Sequence, residues 1–377
     1  MIRIAFLIRS LEYGGSERQL AALVNRLDPK GFDVSVITFY AGGALEEEFT
    51  NKNINLFCLR KRGRWELFGF LWRLVQELRA IRPDILHPYL VEPNLVSVLI
   101  KPLISKTKIV FGIRASDMEL KRYDWFIRMN FRLQTLASRF ADLIIANSES
   151  GREYHVALGF PPQNCIVIHG GVDTERFRPD PESGRRVRAE WGFANGAILI
   201  GCVARLDPVK DHPTFLRAAA LLARERADVR FVCIGSGPEN YASRLRRLAE
   251  SEGIADRIVW AGERSDVAAV YNAVNIVCSS SSGEGFPNAI AEAMACDLSC
   301  VVTDVGDSAL LVGDTGIVVP PGNPRALARG LSECVAQLTS ARESSPRARI
   351  EEFFTVDQLA DKTAAALREL GHRAPVY

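Results

Sequence analysis

AILIGCVARLDPVKDHPTFLRAAALL, residues Ala197–Leu222, runs from a continuous apolar stretch through a short polar loop into a segment with helical signals. Ala197–Val203 has the unbroken hydrophobicity of a strand covered on both faces. Asp211 can cap a following helix, and Pro213 suits its first turn. A strand, loop and helix in this order, repeated, build a parallel sheet whose ligands bind beyond the carboxyl ends of the strands.

The same unit recurs on both sides. Downstream, β-rich runs at Val229–Ile234, Arg257–Ala261, Val274–Cys278, Cys300–Thr303 and Gly316–Val319 are separated by helical stretches. Upstream, a first series runs through Ile2–Ile8, Asp33–Phe39, Asp84–His87, Lys108–Ile113, Asp142–Asn147 and Cys165–His169. Between the series, the polar, proline-containing segment Val172–Arg186 reads as a linker. The expected fold is α/β, with two Rossmann-like, doubly wound parallel-sheet domains at residues 1–172 and 173–354. The stretch from Thr355 to Leu370 reads as a helix, part of a C-terminal segment (355–377) expected to pack back on the first domain.

Composition agrees with this reading. The 377 residues fit two domains of ordinary size, and 47% hydrophobic with 24% charged residues is the balance of a folded chain with sizeable cores. The longest apolar candidate, Asn94–Ser105, is broken by Lys101 and Pro102, so no spanning helix is expected. The opening MIRIAFLIRS carries arginines on both sides of a short apolar run, which argues for a buried strand over a signal peptide and for a cytoplasmic chain. Eight cysteines stand mostly alone in apolar stretches, without a C-x-x-C pair, as buried thiols do in a reducing compartment. Cys296 and Cys300 are close but have no histidine beside them, and no metal site is expected.

The net charge of +2 is unevenly spread. Residues 1–170 hold 23 Lys/Arg against 17 Asp/Glu, and residues 171–377 hold 24 against 28. Basic clusters occur at Arg60–Arg64, at Lys101, Lys106 and Lys108, and from Lys121 and Arg122 through Arg128, Arg132 and Arg139. Beside the first cluster lies an aromatic segment with Trp65, Phe68, Phe70 and Trp72, which suits peripheral contact with an anionic membrane. Leu67, Leu71, Leu74 and Leu78 repeat through it at helical spacing and argue for a core helix instead. No nucleic-acid partner is expected.

Three strand-to-helix loops carry chemistry. The first, Arg9–Glu17, contains Gly14 and Gly15, which let backbone approach a ligand, and Ser16, which can cap a helix whose free N–H groups face an anion. It lacks the G-x-G-x-x-G fingerprint, and the chain has no P-loop. Gly235-Ser236-Gly237 fails the same test because Asn240 replaces the third glycine. In the second loop, Arg205 and Lys210 flank a helix start, where cations are unfavourable unless an anion joins them, so a diphosphate clamp is the sharper reading. The third runs from Ser279 to Met294. Here Glu284 sits between glycines, and Pro287 starts a helix that places Asn288 and Glu292 on one face. Glu292 is a carboxylate in an otherwise apolar run, which calls for hydroxyl or N–H partners.

Together, GGSER at Gly14–Arg18, VARLDPVKDH at Val203–His212, GEGFPNAIAEAMAC at Gly283–Cys296 and TDVGDSALLVGDTGIVVPPGNP at Thr303–Pro324 resemble the retaining, family 4-like glycosyltransferases of group one. That resemblance implies the GT-B architecture of two facing domains with a cleft between them. It implies sugar transfer from a UDP- or GDP-linked donor to an acceptor hydroxyl with retention, without a metal or other cofactor. Arg205 and Lys210 would hold the donor diphosphate, Glu284 the transferred sugar, and Glu292 the ribose hydroxyls. Gly285, Phe286, Pro287 and Asn288 would support the sugar and phosphates, and Gly14 and Gly15 would close on the donor. The acceptor implied is a glycan or a lipid-linked carrier, in polysaccharide biosynthesis at the inner face of a membrane.

Three departures stand out. Where many relatives carry a histidine after the fifth strand, this chain has Arg114, which a phosphate-bearing acceptor would suit. Gly170-Gly171-Val172-Asp173 replaces the common N-G-V-D turn, and Asp297-Leu298-Ser299 replaces the usual Gly-x-Pro. Two other readings compete: a non-catalytic protein that binds a nucleotide sugar or a partner enzyme, and a sugar-nucleotide epimerase.

Overall fold

The structure is a computed structural model and describes residues 1–12, 14–50, 54–63, 65–114, 125–193, 196–339 and 344–372. Its contacts divide the chain into two units, one of residues 1–171 with the C-terminal segment from Val356, the other Val172–Thr355.

Among the described residues, the first unit holds seven strands: β1 (Ile2–Ile8), β2 (Phe32–Thr38), β3 (Asn55–Cys58), β4 (Ile85–Pro88), β5 (Lys108–Ile113), β6 (Leu143–Ala146) and β7 (Cys165–Val167). They are ordered β3-β2-β1-β4-β5-β6-β7. The second holds β8 (Ile198–Val203), β9 (Val229–Ile234), β10 (Ile258–Gly262), β11 (Ile276–Ser279), β12 (Ser299–Thr303) and β13 (Ile317–Val319), ordered β10-β9-β8-β11-β12-β13. All pairings are parallel, from Ile2↔Phe32 in the first sheet to Ile276↔Ile200 in the second. Each sheet is doubly wound, and its order reverses between β1 and β4 or between β8 and β11. Those are the switch points where such sheets bind ligands.

The buried strands are the ones that read as continuous apolar runs. Phe6, Val36 and Val110 are fully enclosed in the first sheet, as are Leu199, Phe231 and Val301 in the second. Helix Val356–His372 belongs to the first core, where Leu359, Leu367 and Leu370 pack with Ile4, Phe6 and Leu20.

Three local expectations are corrected. Val172–Arg186 is not a linker. Val172 N–H donates to Phe354 O, Phe177 is buried, and Pro181–Glu190 is a helix whose N-cap, Asp180, accepts from Ser183 N. The Asp-Pro pair that resembles a turn is a helix start. Ser16 does not cap the first helix, which begins at Gly15 with Gly14 as its N-cap. The Glu17 carboxylate folds back there, and a Cβ on Gly14 would lie 2.1 Å from its Oε2. Finally, β3 has no counterpart among the expected strands, because Asn-Leu-Phe-Cys is a short edge strand with little buried surface.

Candidate functional site

In the second unit, the loops after β8 and β11 are neighbours because those strands pair at the switch point. After β8, Asp207 accepts from Val209 N at 3.0 Å and closes the short turn Pro208–Lys210. Asp211 then adopts a left-handed backbone (φ 44°) and caps helix His212–Glu225 through Thr214 N and Thr214 Oγ1. Lys210 is thus held between two aspartate-stabilised turns. The loop after β11 fastens to it: Ser282 N donates to Val209 O at 2.8 Å, and Ser280 Oγ donates to Lys210 O at 2.9 Å.

This stitching brings Lys210 Nζ to 2.6 Å from Glu284 Oε1, an oxygen that also accepts from Ser281 Oγ at 2.6 Å. Thr303 Oγ1 fixes the Ser281 carbonyl at 2.7 Å. The Lys210 and Glu284 side chains are only 22% and 12% exposed, so either charge left alone would be poorly solvated. Gly306 presses on the same loop. Its φ is 57°, and a Cβ there would stand 2.4 Å from Glu284 O. Asp307 N donates to Gly285 O, which holds the backbone after Glu284.

Arg205 stands apart from this network. Its side chain is 72% exposed, with Asp207 at 4.0 Å. Its loop rests on Gly235-Ser236-Gly237, where Leu206 N donates to Ser236 O. A Cβ on Gly235, whose φ is 135°, would meet Ala204 O at 2.1 Å. That pair of glycines, which fails as a dinucleotide fingerprint, lets two loops approach.

Phe286 turns its ring into the core against Phe354. Pro287 is the N-cap of helix Asn288–Ala295, one place before the helix proper. On that helix Glu292 is 6% exposed, and its Oε2 accepts from the Tyr271 hydroxyl at 3.1 Å. Burial, with the Glu292 charge added, pushes the Cys296 thiol up to about 12. His212, fully enclosed beside Lys210, is pushed down to about 4 by burial and then by the lysine charge.

The structure therefore joins Lys210, Glu284 and the Gly285–Asn288 backbone, sets Glu292 on the same helix segment, and leaves Arg205 free to reach solvent anions. Gly14, Gly15 and Arg114 belong to the first unit. Arg114 follows β5, with its guanidinium 4.3 Å above the Tyr89 ring. Ser281, Tyr271 and Gly306 were not singled out by sequence, and Gly235 was noted only as part of a failed dinucleotide fingerprint. Ser281 lies within the loop read from Ser279 onward, but its hydroxyl was given no role there. Lys121 and Arg122 lie outside the described residues, as does Arg64.

The first unit also carries an exposed apolar face. Helix Phe68–Ile81 buries Phe70, Leu74 and Leu78 but turns out Phe68 (92% exposed) and Trp72, beside exposed Trp65. The core side thus combines Leu74 and Leu78 of the leucine repeat with Phe70, and Leu67 of that repeat is exposed like Phe68 and Trp72. Leu103 is exposed on the adjoining turn Lys101–Ile104, and Leu133, Leu136 and Phe140 are exposed elsewhere in the same unit. Among the described residues, no helix is long and apolar enough to cross a membrane.

Residues 197–337 match the family model described as Glycosyl transferases group 1, and residues 13–176 match Glycosyltransferase Family 4. A D-inositol 3-phosphate glycosyltransferase 2 of Catenulispora acidiphila is 32% identical over 247 residues, covering 61% of this chain and 57% of that protein. A D-inositol 3-phosphate glycosyltransferase of Thermobispora bispora is 29% identical over 253 residues, covering 63% and 59%. The chain thus spans less than two thirds of the length of these curated relatives. Among solved structures, Anabaena Alr3699/HepE in complex with UDP-glucose is similar with a TM-score of 0.86, 23% identity, and coverage of 98% of this chain and 100% of that one. At that identity the likeness concerns the fold.

Proposed function

The chain belongs to the group 1 glycosyltransferases with the GT-B fold, and we propose that it moves a sugar from a nucleotide sugar to an acceptor hydroxyl with retention of configuration. The observation that carries this reading is the partly buried Lys210–Glu284 pair at the switch point of the second sheet. On this reading Lys210 is the cation that meets the leaving diphosphate as it gains charge, and Glu284 is the carboxylate that accepts from sugar hydroxyls.

In this mechanism Arg205 forks onto the diphosphate, and Lys210 shares its charge between Glu284 and the phosphate oxygens. The two cations offset the charge that develops as the glycosidic bond breaks, so the transfer needs no metal ion. Glu284 holds the sugar while its anomeric carbon becomes oxocarbenium-like, with Ser281 and Lys210 fixing the carboxylate beforehand. Glu292 takes the ribose hydroxyls in place of, or alongside, the Tyr271 hydroxyl. A uridine or guanosine diphosphate sugar is the donor class. The UDP-glucose held by the Anabaena structure favours testing uridine first. The matching test is a thermal-shift panel of UDP, GDP, ADP and CDP with their sugar conjugates, since a native-state ligand raises apparent stability by mass action. A shift with one nucleotide that disappears in Lys210→Ala supports the clamp. No shift with any of them would refute the donor site.

The acceptor side is proposed to work at the inner face of a membrane, on a glycan or lipid-linked carrier. Exposed Trp65, Phe68 and Trp72 beside Arg60, Lys61 and Arg62 have the pairing of apolar and basic groups that anionic bilayers attract. Replacing the three aromatics by serine should weaken sedimentation with anionic vesicles about tenfold. Unchanged sedimentation would remove the membrane from the proposal.

A further inference from the structure

The first sheet has a switch point of its own, and its polar groups are arranged differently. β1 pairs with both β2 and β4, and β4 pairs with β5, so the ends of β4 and β5 meet beside the reversal. Four side chains gather there. His87 Nδ1 lies 2.7 Å from Val110 O, so that nitrogen carries the proton and donates. Burial, with the Arg114 charge added, lowers His87 to about 3, and the imidazole is neutral. Its ring centroid is 4.8 Å from that of Tyr89, over which the Arg114 guanidinium stacks. Asn94 reaches Gly112 O at 3.4 Å, and Leu90 N donates to the same carbonyl. Leu90 has a positive φ of 74°, an uncommon conformation for a leucine, and it fixes the turn between β4 and helix Val91–Ile100.

His87, Tyr89 and Asn94 are fully enclosed. His87 Nε2, the Tyr89 hydroxyl, Asn94 Oδ1 and two Arg114 nitrogens, Nε and Nη1, are nevertheless buried without a hydrogen-bond partner. Buried polar groups are ordinarily satisfied, and a guanidinium is the costliest to leave alone. Five unsatisfied atoms in one contiguous group, at a sheet position where ligands bind, describe a site prepared for a molecule from outside.

We propose that this group binds an anionic substituent of the acceptor, a phosphate or a carboxylate, with Arg114 as its counter-charge. The neutral His87 leaves Arg114 as the single positive charge of the group. Two free N–H donors on one planar cation select oxygens that share a negative charge, and the Tyr89 hydroxyl can supply a further donor. Asn94 Oδ1 and His87 Nε2 are acceptors, and they suit hydroxyls on the same molecule. The inference rests on the glycosyltransferase reading, which gives the chain an acceptor to bind.

The test is a melting-temperature series at constant ionic strength with UDP held saturating, so that added anions do not report from Arg205 and Lys210. The probes are inorganic phosphate, glucuronate and neutral glucose, each against wild type, Arg114→Gln and Arg114→Lys. Phosphate or glucuronate should raise the wild-type Tm by about 2 °C, glucose should not, and the better anion identifies the substituent. Arg114→Gln should lose the rise and Arg114→Lys should keep part of it. An equal rise in Arg114→Gln, an equal rise with glucose, or no rise with either anion would overturn the proposal. The wild-type contrast between anion and glucose needs no variant, so a poorly folding substitution leaves the test readable. A missing UDP shift alongside an Arg114-dependent anion shift would fault the donor reading alone. The reverse pattern would fault this one alone.

Discussion

The two units share a strand order but partner the charged groups at their switch points differently, although the second also encloses unmatched atoms in the His212 ring and Ser308 Oγ. In the second unit Lys210, Ser280, Ser281, Glu284 and Thr303 bond to one another, Ser282 donates to Val209 O, and Lys210 and Glu284 meet as opposite charges. In the first, five polar atoms of His87, Tyr89, Asn94 and Arg114 are buried and unmatched, and aromatic side chains lie open to solvent. The second unit is also acidic on balance and the first basic. On the proposed function, the second unit meets the same diphosphate in every turnover, and a site of that kind can be assembled in advance. On the same proposal, the unmatched polar atoms and open aromatics of the first unit are left for an acceptor and a bilayer to cover.

The sharpest break in this comparison would come from Lys210→Ala. Removing the cation from a preassembled site should lower kcat by about 10²–10³-fold, measured as nucleotide release with saturating donor. A loss below tenfold would mean that the second unit's network is structural and not catalytic.

Acid titration compares the two cores next. His212 in the second unit titrates near 4 when folded against 6.5 for an unperturbed histidine, because burial and then Lys210 disfavour its charged form. Below pH 6.5 the unfolded chain takes up a proton that the folded unit refuses. The stability is therefore complete above pH 6.5 and falls as pH drops towards 4, by about 3 kcal/mol from this residue. His87 extends the same loss in the first unit towards pH 3. Urea unfolding at pH 7.5 and pH 4.5 measures it, and His212→Gln should flatten the second unit's response.

Gly306→Ala should cost about 2 kcal/mol, since the new Cβ is incompatible with both φ 57° and the Glu284 carbonyl 2.4 Å away. Its Tm should fall, and donor affinity should fall further than Tm alone explains. The smallest effect belongs to Tyr271→Phe, which strips one hydrogen bond from buried Glu292 and should cost about 1 kcal/mol, read by urea unfolding. If Tyr271→Phe proved as harmful as Gly306→Ala, the Glu292 carboxylate would depend on the tyrosine more than the geometry indicates.

Much of this was legible residue by residue. Val229–Ile234 and Lys108–Ile113 announce themselves as strands because both faces are buried, and the structure reproduces those bounds. Asn55–Cys58 does not, because an edge strand needs no continuous apolar run. Pro181–Glu190 hid behind an Asp-Pro pair that serves equally as a turn and as a helix start. In the site, Lys210 and Glu284 stood out by charge and loop position. Their contact spans 74 residues and follows from β8 lying beside β11, a fact of register that no local window contains. Tyr271 is a buried aromatic on a short apolar helix, and nothing around it in sequence separates a core ring from one whose hydroxyl serves a carboxylate. The open aromatics of Phe68–Ile81 were visible as composition, but which side of the helix faced the core was not.

The return of helix Val356–His372 to the first core has a consequence for synthesis. Leu359, Leu367 and Leu370 leave the ribosome only after all of residues 172–355 have been made. The second unit, encoded later than most of the first, is synthesised whole before the first unit has the helix that completes its core. During translation the basic, aromatic-bearing unit therefore lacks one side of its core until every residue of its acidic counterpart has been made.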